Sequence, residues 1–194
     1  INDLWLENEN GENLVPRYIN DLKICKENNI PMVVMHLTSK SVAPIYNEIG
    51  IKRLQKIVDY AESLNIQVAF ENTKTKGYLE YVMDHIHNKN AGICFDSGHY
   101  HVYFDDELDF SKFKDRIFAV HLHDNDKSGD LHLIPFDGTL NWANIINSLK
   151  DNGYQGPVTL ELCYRYDYLK DGINTFYKKG YEAACKLQEL FEKE

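Results

Sequence analysis

The segment 117–132 concentrates side chains that commonly bind metal ions. Within twelve residues it contains five of them, His121, His123, Asp124, Asp130 and His132. Residues 117–120 are apolar, and a continuous apolar run indicates a strand buried on both faces of a parallel sheet. Proteins of the α/β class place their sites where such strands end. The segment therefore predicts a functional site at the rim of a sheet, the alternative being a polar loop that happens to contain histidines.

Other apolar runs also end in ionisable residues, and helical patterns separate them. The runs 32–37, 66–70, 92–95 and 157–160 carry or lead to His36, Glu71, Asp96 and Glu161. Apolar residues recur at helical spacing in 51–64, 77–86, 140–149 and 173–191. We also expect residues 1–14 to form a loop and a helix to begin near Pro16. The alternation of the two patterns predicts a parallel sheet covered by helices.

The positions of the ionisable residues favour one kind of α/β fold. In a (β/α)₈ barrel of the TIM type, catalytic residues come from the C-terminal ends of several strands. A doubly wound sheet instead has one site with a glycine-rich phosphate turn, and neither GxGxxG nor GxxxxGK[ST] occurs here. We therefore predict a single TIM-barrel domain over residues 1–194, although only five parallel strands are counted where a barrel has eight.

Four of the strand-end residues could together bind a divalent cation. They are Glu71, Asp96, His121 and Glu161. Three carboxylates and one imidazole suit Mn²⁺, Fe²⁺, Co²⁺, Mg²⁺ or Zn²⁺. Carboxylates that converge on one point repel each other unless a cation neutralises them. The alternative for each residue is a salt-bridged position at the rim of the sheet.

A second set of residues could bind additional metal ions or the substrate, or could orient the first set. It comprises His36, His99, His123, Asp130 and His132. The spacing of Asp130 and His132 places both on one side of an extended turn. His123 has the same strand parity as His121, so we expect it to contact either the substrate or one of the metal ligands.

Composition limits the partners and the compartment. The formal net charge is −9 and Lys and Arg form no cluster, which disfavours nucleic acid as a partner. The four cysteines are far apart and form no CxxC pair, as is typical of reduced thiols in a cytoplasmic protein. No apolar run approaches the ~20 residues that a membrane helix requires. We therefore expect a cytoplasmic protein that does not bind a membrane.

Six short motifs, taken in order, resemble the xylose-isomerase-like TIM-barrel superfamily. They are VMH at 34–36, FEN at 70–72, GICFDSGH at 92–99, VHLHD at 120–124, DLH at 130–132 with Gly138 and Trp142 behind it, and GPVTLE at 156–161. The superfamily includes sugar phosphate isomerases and epimerases, and AP endonuclease family 2 proteins such as endonuclease IV.

The resemblance implies roles for both sets of residues. In isomerase and epimerase members, positions matching Glu71, Asp96, His121 and Glu161 hold one divalent metal. In trinuclear nuclease members, positions matching His36, His99, Asp130 and His132 bind the additional ions. Family barrels also begin with three strands upstream of the one ending in His36, and the third supplies another metal-site histidine. Here we expect an N-terminally incomplete barrel, either a fragment or one completed by another chain, whose exposed sheet edge favours homo-oligomers.

The resemblance therefore predicts a metal-dependent isomerase or epimerase acting on a small sugar or sugar phosphate. The metal would stabilise an enediolate, while Glu71 and Glu161 remove and return a proton. Lys127 or Arg165 could contact a phosphate. The alternatives are a metal-dependent phosphodiesterase of the AP endonuclease type and an inactive barrel fragment.

Overall fold

Helices and strands alternate along the chain in the computed structural model, which describes residues 1–39, 42–105, 108–165 and 168–193. The strands in this part of the chain are β1 (Met32–His36), β2 (Gln67–Glu71), β3 (Ala91–Asp96) and β4 (Ile117–His121). The α-helices are α1 (Glu9–Glu27), α2 (Glu48–Ser63), α3 (Tyr78–His85), α4 (Ser97–Tyr103), α5 (Trp142–Asp151), α6 (Tyr168–Asp171) and α7 (Ile173–Glu192). Short 3₁₀ helices span Asn2–Trp5 and Phe110–Phe113.

The strands form one parallel sheet in the order β1-β2-β3-β4. The register of β1 and β2 places His36 opposite Glu71, and that of β2 and β3 places Glu71 opposite Cys94. Every residue of β3 is buried, as expected for a parallel strand covered on both faces. The predicted parallel sheet with helices is confirmed, and the predicted ionisable residues lie at the C-terminal ends of the strands.

The chain divides into two compact units, Ile1–Cys94 and Phe95–Glu194. In the first unit, α2 packs against α1 and β2, and the largest fully buried side chains include Trp5, Leu54, Ile57, Phe70 and Ile93. In the second unit, α7 packs against α5 and α6. Its buried apolar side chains include Phe95, Phe113, Val120, Ile146 and Leu187. The prediction of a single domain stays a prediction.

Arg53 of α2 ties the N-terminal segment to the first unit. Its side chain is 4% exposed, and Nη1 donates to the carbonyl oxygens of Asp3 (3.0 Å), Leu4 (2.9 Å) and Leu6 (2.7 Å). Nη2 donates to Glu12 Oε1 at 2.6 Å, and this hydrogen bond lowers the pKa of Glu12. One buried guanidinium thus joins three backbone carbonyls and one carboxylate of the segment 3–12 to α2.

The structure differs from the prediction at the N-terminus. Residues 1–14 were expected to be a loop, but they contain a 3₁₀ helix and the first residues of α1. The Asn8 side chain caps α1 by accepting a hydrogen bond from Gly11 N at 2.7 Å, and this cap sets the start of the helix. Pro16 lies inside α1, where it lacks the N–H that would continue the hydrogen-bond ladder. The prediction that the helix begins near Pro16 is wrong.

The predicted fifth strand is reduced to a single contact. In the segment 157–160, Leu160 forms an isolated parallel bridge with Leu122, flanked by backbone hydrogen bonds of 2.9 and 3.2 Å. Pro157 has no N–H to donate to a ladder. The count of five strands is therefore wrong for the described residues, although the bridge still places Glu161 directly beyond the end of β4.

Two further findings concern the helices and the cysteines. None of the described helices combines the length and apolar character that crossing a bilayer requires. The four cysteines, all within the described ranges, form no disulfide with one another.

We predict that Arg53→Met lowers the free energy of unfolding by about 2–4 kcal/mol, because it removes four hydrogen bonds of a buried side chain, including the one to the carbonyl oxygen of Leu4. Denaturant unfolding measures the change. Lys52→Met, at an exposed position of the same helix, is the matched control and is expected to change the free energy of unfolding by less than about 0.5 kcal/mol. A loss below about 1 kcal/mol for Arg53→Met would contradict this assignment.

Candidate metal centre

Asp96 ends β3 with a fully buried carboxylate. Its Oδ1 accepts a hydrogen bond from His99 N at 2.6 Å and so caps α4. The strand and the helix cap together fix the direction of the side chain. A buried carboxylate requires compensating donors or a cation.

His121 and Glu161 lie with Asp96 in the second unit. His121 ends β4, and its Nδ1 is 3.0 Å from Glu161 Oε2. One ligand atom from each of Asp96, His121 and Glu161 lies within 4.8 Å of the other two. Ligands on one ion at about 2.0–2.2 Å are roughly 4 Å apart or less, which small side-chain rotations achieve. Two carboxylates and one imidazole therefore fit a divalent cation.

Glu71 and His36 contact each other in the first unit. Glu71 ends β2 and is 2% exposed, while His36 ends β1 with a half-exposed side chain. His36 Nε2 lies 3.2 Å from Glu71 Oε2. The structure thus pairs a predicted metal ligand with a predicted additional ligand, and the metal role of each stays a prediction.

Asp130 lies between two imidazoles in the second unit. Its Oδ2 is 3.3 Å from His99 Nε2, and its Oδ1 is 3.3 Å from His132 Nε2. Burial raises the pKa of Asp130, but hydrogen bonding to His132 and His99 outweighs burial and holds the pKa well below its ordinary value. The contact with Asp130 raises the pKa of His132. Three residues of the predicted second set, Asp130, His99 and His132, therefore lie together. They could bind an ion or substrate hydroxyls.

His123 is fully buried and contacts both sets. Its Nε2 lies 3.1 Å from Asp96 Oδ1 and 3.2 Å from Asp96 Oδ2. Its ring stacks on that of His132, with centroids 4.0 Å apart and planes 11° from parallel.

Asp124 has a structural role that the sequence did not reveal. The first expectation counted it among the metal-binding residues, but both of its buried oxygens already accept hydrogen bonds. Oδ1 accepts from Asn125 N (2.9 Å) and Leu140 N (3.1 Å). Oδ2 accepts from Phe136 N (2.9 Å) and Trp142 Nε1 (2.8 Å). Because four donors surround it, the Asp124 carboxylate shapes the loop. The expectation that Asp124 is a metal-binding residue is therefore corrected.

Arg165 also supports the loop after β4. Its Nη2 donates to the carbonyl oxygen of Asp130 at 2.9 Å, so this guanidinium positions the backbone of a residue of the second set. No local pattern predicts this contact, because the two partners are 35 positions apart in the sequence.

The sequence matches the family model described as xylose isomerase-like TIM barrel over residues 4–184. The chain belongs to the xylose isomerase-like TIM barrel family. This membership confirms the resemblance found in the motifs and the predicted TIM-barrel type of fold.

This TIM-barrel chain is similar in sequence to curated proteins and similar in fold to solved structures. The uncharacterized protein y4fM of Sinorhizobium fredii is 28% identical over 174 residues, which are 82% of this chain and 55% of that protein. The IOLI protein, solved with a bound zinc atom, superposes with a TM-score of 0.80 at 18% identity, over 96% of this chain and 74% of that one. D-psicose 3-epimerase from Clostridium cellulolyticum H10, solved with D-tagatose, gives 0.80 at 14% identity, over 99% and 75%. The chain spans about half the length of the curated relatives it matches.

We predict that Asp124→Asn destabilises the second unit by about 2–4 kcal/mol, because an amide NH₂ would face N–H donors. Denaturant unfolding gives the free energy, and the ¹⁵N resonance of the Trp142 indole reports the lost hydrogen bond. Asp126→Asn is the control, since Asp126 is exposed and its hydrogen bonds are local to its own turn, from Ser128. Equal effects of the two substitutions would refute the role of Asp124.

Proposed function

We propose that the chain provides the metal site of a sugar isomerase or epimerase that depends on a divalent metal. The observation that carries the proposal is the convergence of Asp96, His121 and Glu161. The sequence prediction adds Glu71 as the fourth ligand. Sugar epimerases among proteins of the same fold support the reaction class, and the zinc in the IOLI protein supports a metal. The identity of the metal, with Mn, Zn, Mg, Co and Fe as the candidates, is part of what must be measured.

The carboxylates would move the proton in this proposal. A bound divalent ion supplies Lewis-acid stabilisation of negative charge on substrate oxygens. Glu161 has a side chain 46% exposed, so it is accessible to a sugar and can take up a proton at Oε1 or Oε2. Glu71 is buried, so its carboxyl group is held apart from bulk water. The two residues would act as base and acid on a small sugar or sugar phosphate.

A phosphodiesterase of the AP endonuclease type is the second candidate. The position of Asp130 between His99 and His132 favours it, because clustered ligands suit several ions that activate water. The net charge of −9 disfavours a nucleic acid substrate.

An inactive barrel fragment is the third candidate. Self-association and a cytoplasmic location remain parts of the proposal. β1 supports association, since it lies at the end of the strand order and its Val34 is 39% exposed.

The metal proposal predicts that Asp96→Asn and His121→Ala each weaken retention of a divalent ion at least about tenfold, because each removes a ligand. Elemental analysis after gel filtration, with Co²⁺ titration, measures this. His85→Ala is the control, since His85 is exposed at the end of α3. One ion per chain supports the isomerase, two or three support the phosphodiesterase, and retention of none supports the inactive fragment.

The proton-transfer proposal predicts that Glu161→Gln slows exchange of the substrate carbon-bound hydrogen with solvent by about 10²–10⁴-fold, because the amide cannot accept a proton. NMR of candidate ketohexoses in D₂O follows the exchange, and metal content is measured on the same sample. Glu182→Gln, at an exposed site on α7, is the control. Unchanged exchange in Glu161→Gln would refute this role.

A further inference from the structure

We propose that His123 is a positioning residue that holds the Asp96 carboxylate in the direction needed to bind the metal. The inference rests on the proposed metal function. His123 Nε2 lies within hydrogen-bonding distance of both oxygens of Asp96, at 3.1 and 3.2 Å. Both residues are fully buried, so the contact is shielded from competing water and salt.

Two donors of different kinds converge on Asp96. His99 N donates to Oδ1, and this hydrogen bond by itself restrains only one oxygen against rotation of the carboxylate about its Cβ–Cγ bond. The imidazole of His123 lies against both oxygens and restrains that rotation. A ligand restrained before the ion arrives loses less conformational freedom on binding, and loss of such a supporting group commonly weakens metal binding about 10- to 100-fold.

Both the backbone and the ring of His123 are held in place. Ser97 Oγ donates to His123 O at 2.7 Å and accepts from His123 N at 2.9 Å. The ring of His132 covers one face. A Cβ atom at Gly98 would lie 1.9 Å from His123 Cε1, so the glycine of the DSGH motif leaves room for the ring. Ser97 and Gly98, next to Asp96 in sequence, thus serve to seat His123.

The stacking geometry argues against His123 as a metal ligand. His123, His132 and Glu161 each have one ligand atom within 4.8 Å of the others. An imidazole binds an ion in the plane of its ring, at about 2.0–2.1 Å from nitrogen. The planes of His123 and His132 are nearly parallel and about one ring thickness apart, so the two lone pairs do not converge on one ion.

The hydrogen-bond pattern assigns the tautomer of His123. A neutral imidazole carries one N–H, and Nε2 faces a carboxylate that can only accept. Nδ1 is buried and has no hydrogen-bond partner among the described residues. The hydrogen therefore belongs on Nε2, with Nδ1 bare beside Gly98.

The test compares His123→Gln with His123→Leu in the full chain. Gln keeps an N–H near the position of Nε2, whereas Leu has similar volume and no donor, and both lose the stacking on His132. We expect Leu to weaken Co²⁺ binding about 10- to 100-fold and to alter the visible spectrum of the bound ion, and Gln to restore affinity to within about threefold of the unmodified chain. Unchanged affinity in Leu, or equal losses in Leu and Gln, would overturn the proposal.

A measurement on the unmodified, metal-free chain covers the case in which a variant does not fold. Long-range ¹H–¹⁵N NMR of the His123 ring is expected to show the hydrogen on Nε2, and a hydrogen on Nδ1 alone would overturn the inference. If the unmodified chain binds no Co²⁺, and Asp96→Asn is equally inert, the proposed metal function fails. The NMR result still decides whether His123 holds Asp96.

Discussion

The buried carboxylate of Asp124 is the constraint on which the loop after β4 depends. A charged group with no exposed surface is stable only when its lone pairs are satisfied, and here four N–H groups from a span of eighteen residues satisfy them. The loop must therefore bend around this side chain. Gly138 shows how closely it does so, since a Cβ there would lie 2.2 Å from Asp124 Oδ1. The fold of the segment is set by one carboxylate more than by apolar packing.

This constraint separates two kinds of site residue. Asp96 and His121 end strands of a parallel sheet, so the backbone of the sheet fixes their positions. Asp130 and His132 lie on the loop, and their positions depend on Asp124 and on the hydrogen bond from Arg165. A metal site on strand ends can persist while the loop changes, whereas a second ion site requires both. In the proposed function, the difference between binding one ion and binding several would then depend in part on this loop.

The sequence predicts the parts of the structure that follow from local pattern. A short apolar run followed by an ionisable residue located the ends of β2, β3 and β4 within a residue or two, because buried parallel strands are nearly continuous in apolar character. The role of Asp124 was not predictable, because its donors at Phe136, Leu140 and Trp142 are backbone and indole groups that no motif marks. The orientation of His123 depends equally on a distant serine. The start of the N-terminal helix was misplaced by the sequence, because Pro16 resembles a helix start more strongly than Asn8 does.

The hydrogen bonds of Arg53 to the N-terminal segment also have a consequence for the order of folding. The hydrogen bonds of Arg53 with the carbonyls of Asp3, Leu4 and Leu6 join residues that are 47 to 50 positions apart in the chain. Closing a loop of this length costs entropy before the contact repays it, so the hydrogen bonds that join the first 3₁₀ helix to Arg53 form only once α2 is in place.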